Sequence, residues 1–393
     1  KVVAVIGRIY PDGVLELIGL GSAPSRGLKK GAIVNIEMTV QAIAQAIEEA
    51  ELMAGCRINE VCVGIAGSHI HGINSNGIVA IRDQEVQKSD LERVIDAAQA
   101  VPIPSDQRIL HVIPQEYSID HQPGVRDPLG MPGVRLEARV HVVTSSINAV
   151  QNVEKCVRRC NLEVEELVFE PYASSCAVLT EDEREFGVCL VDVGGGTTGI
   201  TIYVNGAVRH SAVIPIAGDH VTNDIAVTFR TPVHYAEELK IKHAVALPSL
   251  TDEDAYIKLP GVAERPSRDL SPTRLAQVVE SRYEELFSFV LKEIIDSGFQ
   301  DAIPAGIVLT GGAVKNEGMI ELAERAFGMP VRIGVPRAVT GLQDMVCNPI
   351  YATSVGLLLY RYQQRQSDAA PRRKPEWLGG VMGRVSHWIK GHL

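Results

Sequence analysis

The residues of this chain best suited to chemistry stand together at 191–200: Val191-Asp192-Val193-Gly194-Gly195-Gly196-Thr197-Thr198-Gly199-Ile200. An apolar run, 188–193, holds a single acid, Asp192, and ends in three glycines and two threonines. A second apolar run, 200–204, follows at once. The pattern reads as strand, tight glycine turn, strand. Glycine lacks the Cβ that keeps a ligand off the backbone. The amides of Gly194, Gly195 and Gly196 can therefore close on a phosphate, and the hydroxyls of Thr197 and Thr198 add donors. Asp192, on the same strand, would hold a divalent cation through water, as Mg²⁺ prefers. An ordinary hairpin is the plain alternative, but its turn requires only one or two glycines. The expectation is phosphate binding.

Residues 305–313 repeat that logic: a buried strand runs into Gly311 and Gly312, and a helix is expected over 319–327. Two such units predict a duplicated architecture. Small-residue helices at 173–179 and 349–359 mirror one another in the same way. Glu170 stands at the strand–helix junction before the first; its plain role is an acid near a helix N-terminus, mildly stabilising. Gly218 leads into a helix carrying Val221, Ile225 and Val227. Glu237 and Lys240 lie one helical turn apart, and spacing alone makes them a solvated i,i+3 ion pair. Other groupings carry less. His69 and His71 alternate on one strand face without a third ligand and read as surface or partner contacts. Cys156 and Cys160 share a helix face but lack the second ligand pair that zinc needs. Residues 21–27 fail as a P-loop, because Leu28 stands where lysine is required.

The 393 residues are 46% apolar and 22% charged, the balance of a soluble globular protein with two or more domains. A net charge of −10 argues against nucleic acid as a partner. The seven cysteines are an odd number, mostly in apolar runs. With no signal peptide and no apolar run of the roughly 18 residues that suggest a membrane span, the expected location is cytoplasmic. Periodicity predicts strands at 2–9 and 14–21 joined by a turn, a helix over 37–54 and a buried strand at 61–66. Residues 67–145 change character. Ser89 and Glu92 form a capping-box signature for a helix running to Ala100. Strands follow at 109–119 and 136–143, with a Pro/Gly-rich loop over 122–133 between them. One helix among several strands reads as an inserted subdomain. Further on come a helix over 147–160, a short strand at 255–259, and a long helix between Ser271 and Gly298 with Pro272 at its first position.

The C-terminus has a different design. Residues 363–375 are polar and Pro-containing, a flexible linker. Beyond them Trp377, Leu378, Val381, Met382, Val385, Trp388 and Ile389 fall on one helical face, with Arg384 and Lys390 on the other. Both tryptophans of the chain are here. With five basic residues and one acid, the segment from Arg372 onward carries +4 against −14 for the remainder. That describes an interfacial helix on anionic membrane lipid. Gly379, Gly380 and Gly383 each cost about 1 kcal/mol in a helix, so it is expected to form only when bound. One such helix anchors reversibly, and many linked copies are needed for firm attachment.

These residues together resemble the actin-like ATPase superfamily, and within it the FtsA family of bacterial division proteins. The phosphate-2 motif matches 192–198, the adenosine motif 307–313, and the connecting helices 170–179 and 348–356. An adenosine-side helix matches Ala236-Glu237-x-x-Lys240. The insertion, with Ile113-Pro114-Gln115-Glu116-Tyr117, and the amphipathic tail are specific to FtsA. The resemblance implies an α/β, ribonuclease H-like fold, duplicated in two lobes around an ATP·Mg²⁺ cleft. The implied parts are subdomain 1A at 1–66, 146–186 and 347–362, an inserted 1C at 67–145, 2A at 187–228 and 302–346, and 2B at 229–301. The linker at 363–375 and a membrane helix at 376–393 complete the chain.

By the same resemblance, Asp192 would face the Mg²⁺ shell, and Gly194, Gly195, Gly196, Thr197 and Thr198 the β- and γ-phosphates. Gly218, Glu237, Lys240, Gly311 and Gly312 would surround the adenosine, and Glu170 would lie where relatives orient a hydrolytic water. The implied role is a scaffold, at most a slow ATPase, forming filaments on the inner face of the cell membrane at the division site. It would bind the C-terminal tail of FtsZ through 2B and later division proteins such as FtsN partly through 1C. Family members also carry a first phosphate loop upstream of the residue aligned with Lys1, and the expectation is that this loop lies outside the sequence. Two rivals share the superfamily. A sugar or acetate kinase needs an acid facing an acceptor hydroxyl, for which only Glu170 offers itself, and has no use for the tail. Against an MreB-like cell-shape filament stands the insertion.

Overall fold

The computed structural model describes residues 1–10, 14–252, 254–259, 268–337 and 339–369. One lobe is built on a five-stranded sheet in the order Ala207–Ile214, Thr198–Val204, Val188–Val193, Ile307–Thr310, Val331–Ile333. The first three strands are an antiparallel meander, and the last two run parallel to Val188–Val193. Parallel neighbours need long crossovers: the helices Gly218–Phe229, Val233–His243 and Pro272–Asp296 precede Ile307–Thr310, and Met319–Phe327 crosses from there to Val331–Ile333. Ile225, Leu275, Val279, Leu286 and Val290 cover one face of the sheet. Leu190, Tyr203 and Val308 on the other face pack with Leu17, Val178 and Val355 of the first lobe. Burial on both faces is why the central strand reads as an apolar run broken only by Asp192.

The first lobe holds the antiparallel pair Val2–Ile9 and Leu15–Ala23 and the parallel pair Glu60–Ile65 and Glu163–Phe169. Its helix Ile36–Ala54 starts where Asn35 Oδ1 accepts the Met38 amide at 3.0 Å and stops at Gly55, whose φ is 66°. The thiols of Cys156, on the helix Ile147–Arg158, and Cys160, in the turn after it, donate to the carbonyls of Ile36 and Val40 in the helix Ile36–Ala54. They are packing groups. The insertion leaves this lobe as a four-stranded sheet ordered His71–Ala80, Arg135–Ser146, Gln107–Ile119, Gln122–Val125, with Val94 and Ala98 of the helix Lys88–Gln99 buried against it.

Between the two main sheets lie the helices Glu170–Val178 and Ala352–Ala369. They cross so closely that a Cβ on Gly356 would collide with the carbonyl of Ala173. Small residues on both partners are what permit this approach.

Several elements differ from expectation for local reasons. The insertion helix starts earlier than Ser89, because Asp90, fully buried, accepts the Gln87 amide at 3.0 Å and pairs with Arg93 at 2.7 Å. The supposed Pro/Gly loop at 122–133 contains the strand Gln122–Val125, paired to Tyr117 and Ile119. Val227 is 77% exposed, so Ala226 and Phe229 join Val221 and Ile225 in the buried stripe instead. The short strand is Ile257–Leu259 and pairs with Arg268–Leu270, which the sequence pattern did not show. Residues 363–369 are helix, not linker: Gln and Arg are good helix formers, and Arg361 and Arg365 tie this helix to Glu165 on the neighbouring strand. The remaining linker and the interfacial helix at 376–393 lie outside the described residues. Among the described residues, no helix is long and apolar enough to cross a membrane.

Gly356→Val should lower stability by about 1–3 kcal/mol, since the added carbons meet backbone that cannot move aside. Chemical denaturation measures this, and an unchanged midpoint would contradict so close a crossing.

Candidate phosphate-binding site

Strands Val188–Val193 and Ile307–Thr310 are parallel neighbours, with Asp192 beside Thr310. Their glycine turns, 194–196 and 311–312, therefore emerge side by side at the carboxyl ends of the sheet, the usual place for a ligand crevice. The Gly194 amide donates to Thr197 O at 3.0 Å, which fixes the turn. The amides of Gly195, Gly196 and Thr197 have no protein acceptor among the described residues. Three such donors suit an anion rich in oxygens. Thr198 does not add its hydroxyl to them: it is buried and donates to Ile216 O at 2.7 Å, so it anchors the turn to the next loop.

Asp192 is held from two sides. Its Oδ2 accepts from Ser174 Oγ at 2.5 Å and Thr353 Oγ1 at 3.2 Å, one hydroxyl from each crossing helix. Its Oδ1 faces Gly311, where a Cβ would lie 2.5 Å away and where φ is 93°. Only glycine fits there. Burial pushes the Asp192 carboxyl up from its ordinary range, and the two hydroxyls offset part of this. Glu170 is the first residue of its helix and half-buried, with its carboxyl close to Gly64. Burial, and then the nearby Asp192 charge, push Glu170 up to about 7. Among the described residues no three His, Cys, Asp or Glu side chains gather into a metal cage. The donor set thus fits a Mg²⁺ that keeps most of its water and touches Asp192 from outside.

Gly218 stands at the back of the crevice. A Cβ there would come 3.0 Å from Ala313 Cβ, 3.2 Å from Gly194 O and 3.6 Å from Lys240 Nζ. Lys240 is not a solvated partner of Glu237, as spacing suggested. It is 9% exposed, and its ammonium reaches Gly218 O at 3.1 Å, Thr222 Oγ1 at 2.7 Å and Glu237 Oε2 at 2.6 Å. All three donors are used, which is what makes burial of the charge tolerable. Asn316 Nδ2 donates to the carbonyls of Lys240 and Ala244, and Tyr283 OH donates to Ala313 O at 2.5 Å. These bonds hold the helix against the second glycine turn.

Sequence reasoning missed Ser174, Thr353, Thr222, Asn316 and Tyr283. The repeated small-residue helices were the one signal that pointed toward the first two. It also missed Lys30 and Gly31, a turn of the first lobe with φ of 51° and 77°. A Cβ on Gly196 would sit 3.1 Å from Lys30 Cα, so the two lobes meet at the glycine turn. His71 is exposed and His69 half-buried, with its value lowered by burial and by His71.

Two lobes about crossed helices, with paired glycine turns between them, define an actin-like fold, here with an inserted domain. Solved structures agree on this architecture. A chain of the PilM-PilN type IV pilus biogenesis complex matches with a TM-score of 0.64 and 19% identity over 91% of this chain and 94% of its own. MreB5 of Spiroplasma citri bound to ADP matches with 0.53 and 12% over 92% and 83%. Family models match more narrowly: "Cell division protein FtsA" over residues 189–356 and "SHS2 domain inserted in FTSA" over 67–144. The cell division protein FtsA of Pseudomonas aeruginosa is 59% identical over 100% of this chain and 96% of its own length. That of Escherichia coli K12 is 44% identical over 99% and 95%. The chain belongs to the FtsA family of cell division proteins.

Because the Glu170 value is raised, the group stabilises the fold fully below its ordinary value of 4.5, and this contribution is lost as pH rises through about 7. Glu170→Gln should therefore flatten the decline in unfolding free energy between pH 5 and pH 8 by about 1–3 kcal/mol. Equal slopes for variant and parent would show that the carboxyl is not shielded.

Proposed function

We propose that this chain is a nucleotide-clamped scaffold of bacterial cell division: it binds ATP·Mg²⁺ between its lobes, assembles with copies of itself and attaches to anionic membrane lipid. The supporting observation is the pair of glycine turns on adjacent parallel strands, with Asp192 between them and the buried Lys240 behind. Gly195, Gly196 and Thr197 would take the β- and γ-phosphates, with the Gly194 amide spent on closing the turn, and Asp192 the water shell of Mg²⁺. Gly218, Glu237, Lys240, Gly311 and Gly312 would border the adenosine. When bound, the nucleotide supplies a charged bridge between lobes. Glu170, whose carboxyl is pushed up by burial, would be the group to hold a water against it. MreB5 of Spiroplasma citri, solved bound to ADP and to AMPPNP, supports the same use of this fold.

The remaining assignments rest on sequence and family. Subdomain 2B, 229–301, would hold the C-terminal tail of FtsZ, and the insertion would meet later division proteins such as FtsN. The helix at 376–393 would place the assembly on the inner face of the membrane at the division site. Its apolar face, with Trp377 and Trp388, would enter the bilayer, and Arg384 and Lys390 would meet the headgroups.

Asp192→Ala should weaken Mg²⁺-dependent ATP binding at least about tenfold, a loss of about 1.4 kcal/mol. Titration calorimetry decides it, and equal affinity would refute the assigned cation site. A chain ending at Pro375 should fail to pellet with anionic liposomes while still binding ATP; equal pelleting would remove the tail from the membrane account.

A further inference from the structure

The strand Gln107–Ile119 of the insertion carries two bulges, between Ile109 and His111 and between Pro114 and Glu116. A bulge leaves one residue unpaired and bends the strand, re-aiming nearby side chains. After the first bulge, His111 reaches the first lobe. Its Nε2 accepts the Phe169 amide at 3.0 Å, one residue before Glu170, and its ring packs on Tyr172 and Tyr360 at 5.7 and 6.0 Å. At the second bulge, Gln115 reaches the other lobe. Its Nε2 donates to Val208 O at 2.7 Å and to Asn74 Oδ1 at 3.0 Å. Asn74 Nδ2 donates to Arg209 O at 2.9 Å.

Asn74 Oδ1 can only accept, so the 2.7 Å contact with His141 is a bond from His141 Nδ1–H. His141 Nε2 then accepts from Ser211 Oγ, also at 2.7 Å. Burial keeps this ring neutral, as the tautomer requires. A Cβ on Gly72 would lie 2.5 Å from Ser211 Oγ and 2.8 Å from His141 Nε2, so the insertion backbone closes directly over the pair. Val208, Arg209 and Ser211 belong to the outer strand of the five-stranded sheet, whose third strand carries Asp192. Outer strands expose unpaired backbone groups, and here side chains of the insertion bond to the carbonyls of Val208 and Arg209.

We infer that the insertion is a strut spanning both lobes, anchored through His111 on one and through Asn74, Gln115 and His141 on the other, and that it restrains opening of the cleft. The inference rests on the nucleotide assignment above. Separating the lobes at the Gly196–Lys30 contact must stretch or break the polar joint, because the other end of the insertion is fixed beside Glu170. By linkage, whatever pulls the insertion off the outer strand also weakens binding in the cleft.

The test uses the full chain with Asn74→Ala, Gln115→Ala or Ser211→Ala, and Glu92→Ala on the exposed side of the insertion helix as control. Stopped-flow release of a fluorescent ATP analogue with Mg²⁺ should quicken about tenfold in the three joint variants and stay unchanged in the control, the loss of one or two net hydrogen bonds. Without nucleotide, the same variants should raise amide exchange at 28–33 and 194–197 while leaving exchange in the helix Lys88–Gln99 as in the parent. Parental release and parental exchange in all three variants would overturn the strut. A parent chain that binds no analogue would overturn the nucleotide assignment instead, and the exchange measurement would still decide the strut.

Discussion

Two helices crossing at Ala173 and Gly356 are the constraint on which the rest depends. Backbone lies against backbone there, with no room for a side chain between. The contact sets how far apart the two sheets stand, since Val178 and Val355 on these helices pack into the core between them. It also brings Ser174 and Thr353 to 2.9 Å from each other and onto one oxygen of Asp192. Packing thus decides the position and hydrogen bonding of the acid. A bulkier pair of helices would leave the same Asp192 on the same strand without either hydroxyl.

The electrostatics of the crevice follow from that enclosure. Asp192 and Glu170 both sit where water is scarce, and each carboxyl is pushed toward its neutral form, Glu170 in part by the charge of Asp192. Such a pair gains from a cation, which favours the ionised forms that burial opposes. On the opposite wall the problem is solved internally, because the Lys240 ammonium has three acceptors and Asn316 closes the end of its helix. One wall is therefore fixed by its own bonds, and the other keeps a capacity for an outside charge.

The insertion extends this logic across the molecule. It could have hung from the first lobe on its two connections alone. Instead its longest strand bends twice and sends polar side chains to both lobes, and the resulting joint is fully bonded: Gln115, Asn74, His141 and Ser211 each find a partner. Its inner part, His141 and Ser211, is buried, while Asn74 stands at the surface; the buried pair, bonded to each other, makes the joint specific.

Much of this was legible from residue order. Strand–glycine–strand signals, the duplicated turn at 311–312 and the small-residue helices each depend on local spacing, and local spacing survives folding. What the chain could not announce were contacts between residues far apart in number. Lys240 looked solvated because an i,i+3 pattern cannot show that Gly218 and Thr222 lie behind it. Residues 363–369 looked like linker because composition does not reveal Glu165 on a neighbouring strand. Gln115 was recognisable only as part of a motif, for a bulge is defined by the partner strand and has no signature of its own. The type and order of the elements were set by sequence, through propensity and period. The joining of Asp192 to Ser174 and Thr353, and of the insertion to both lobes, was decided by tertiary packing, because only the packed distance between elements makes those bonds possible.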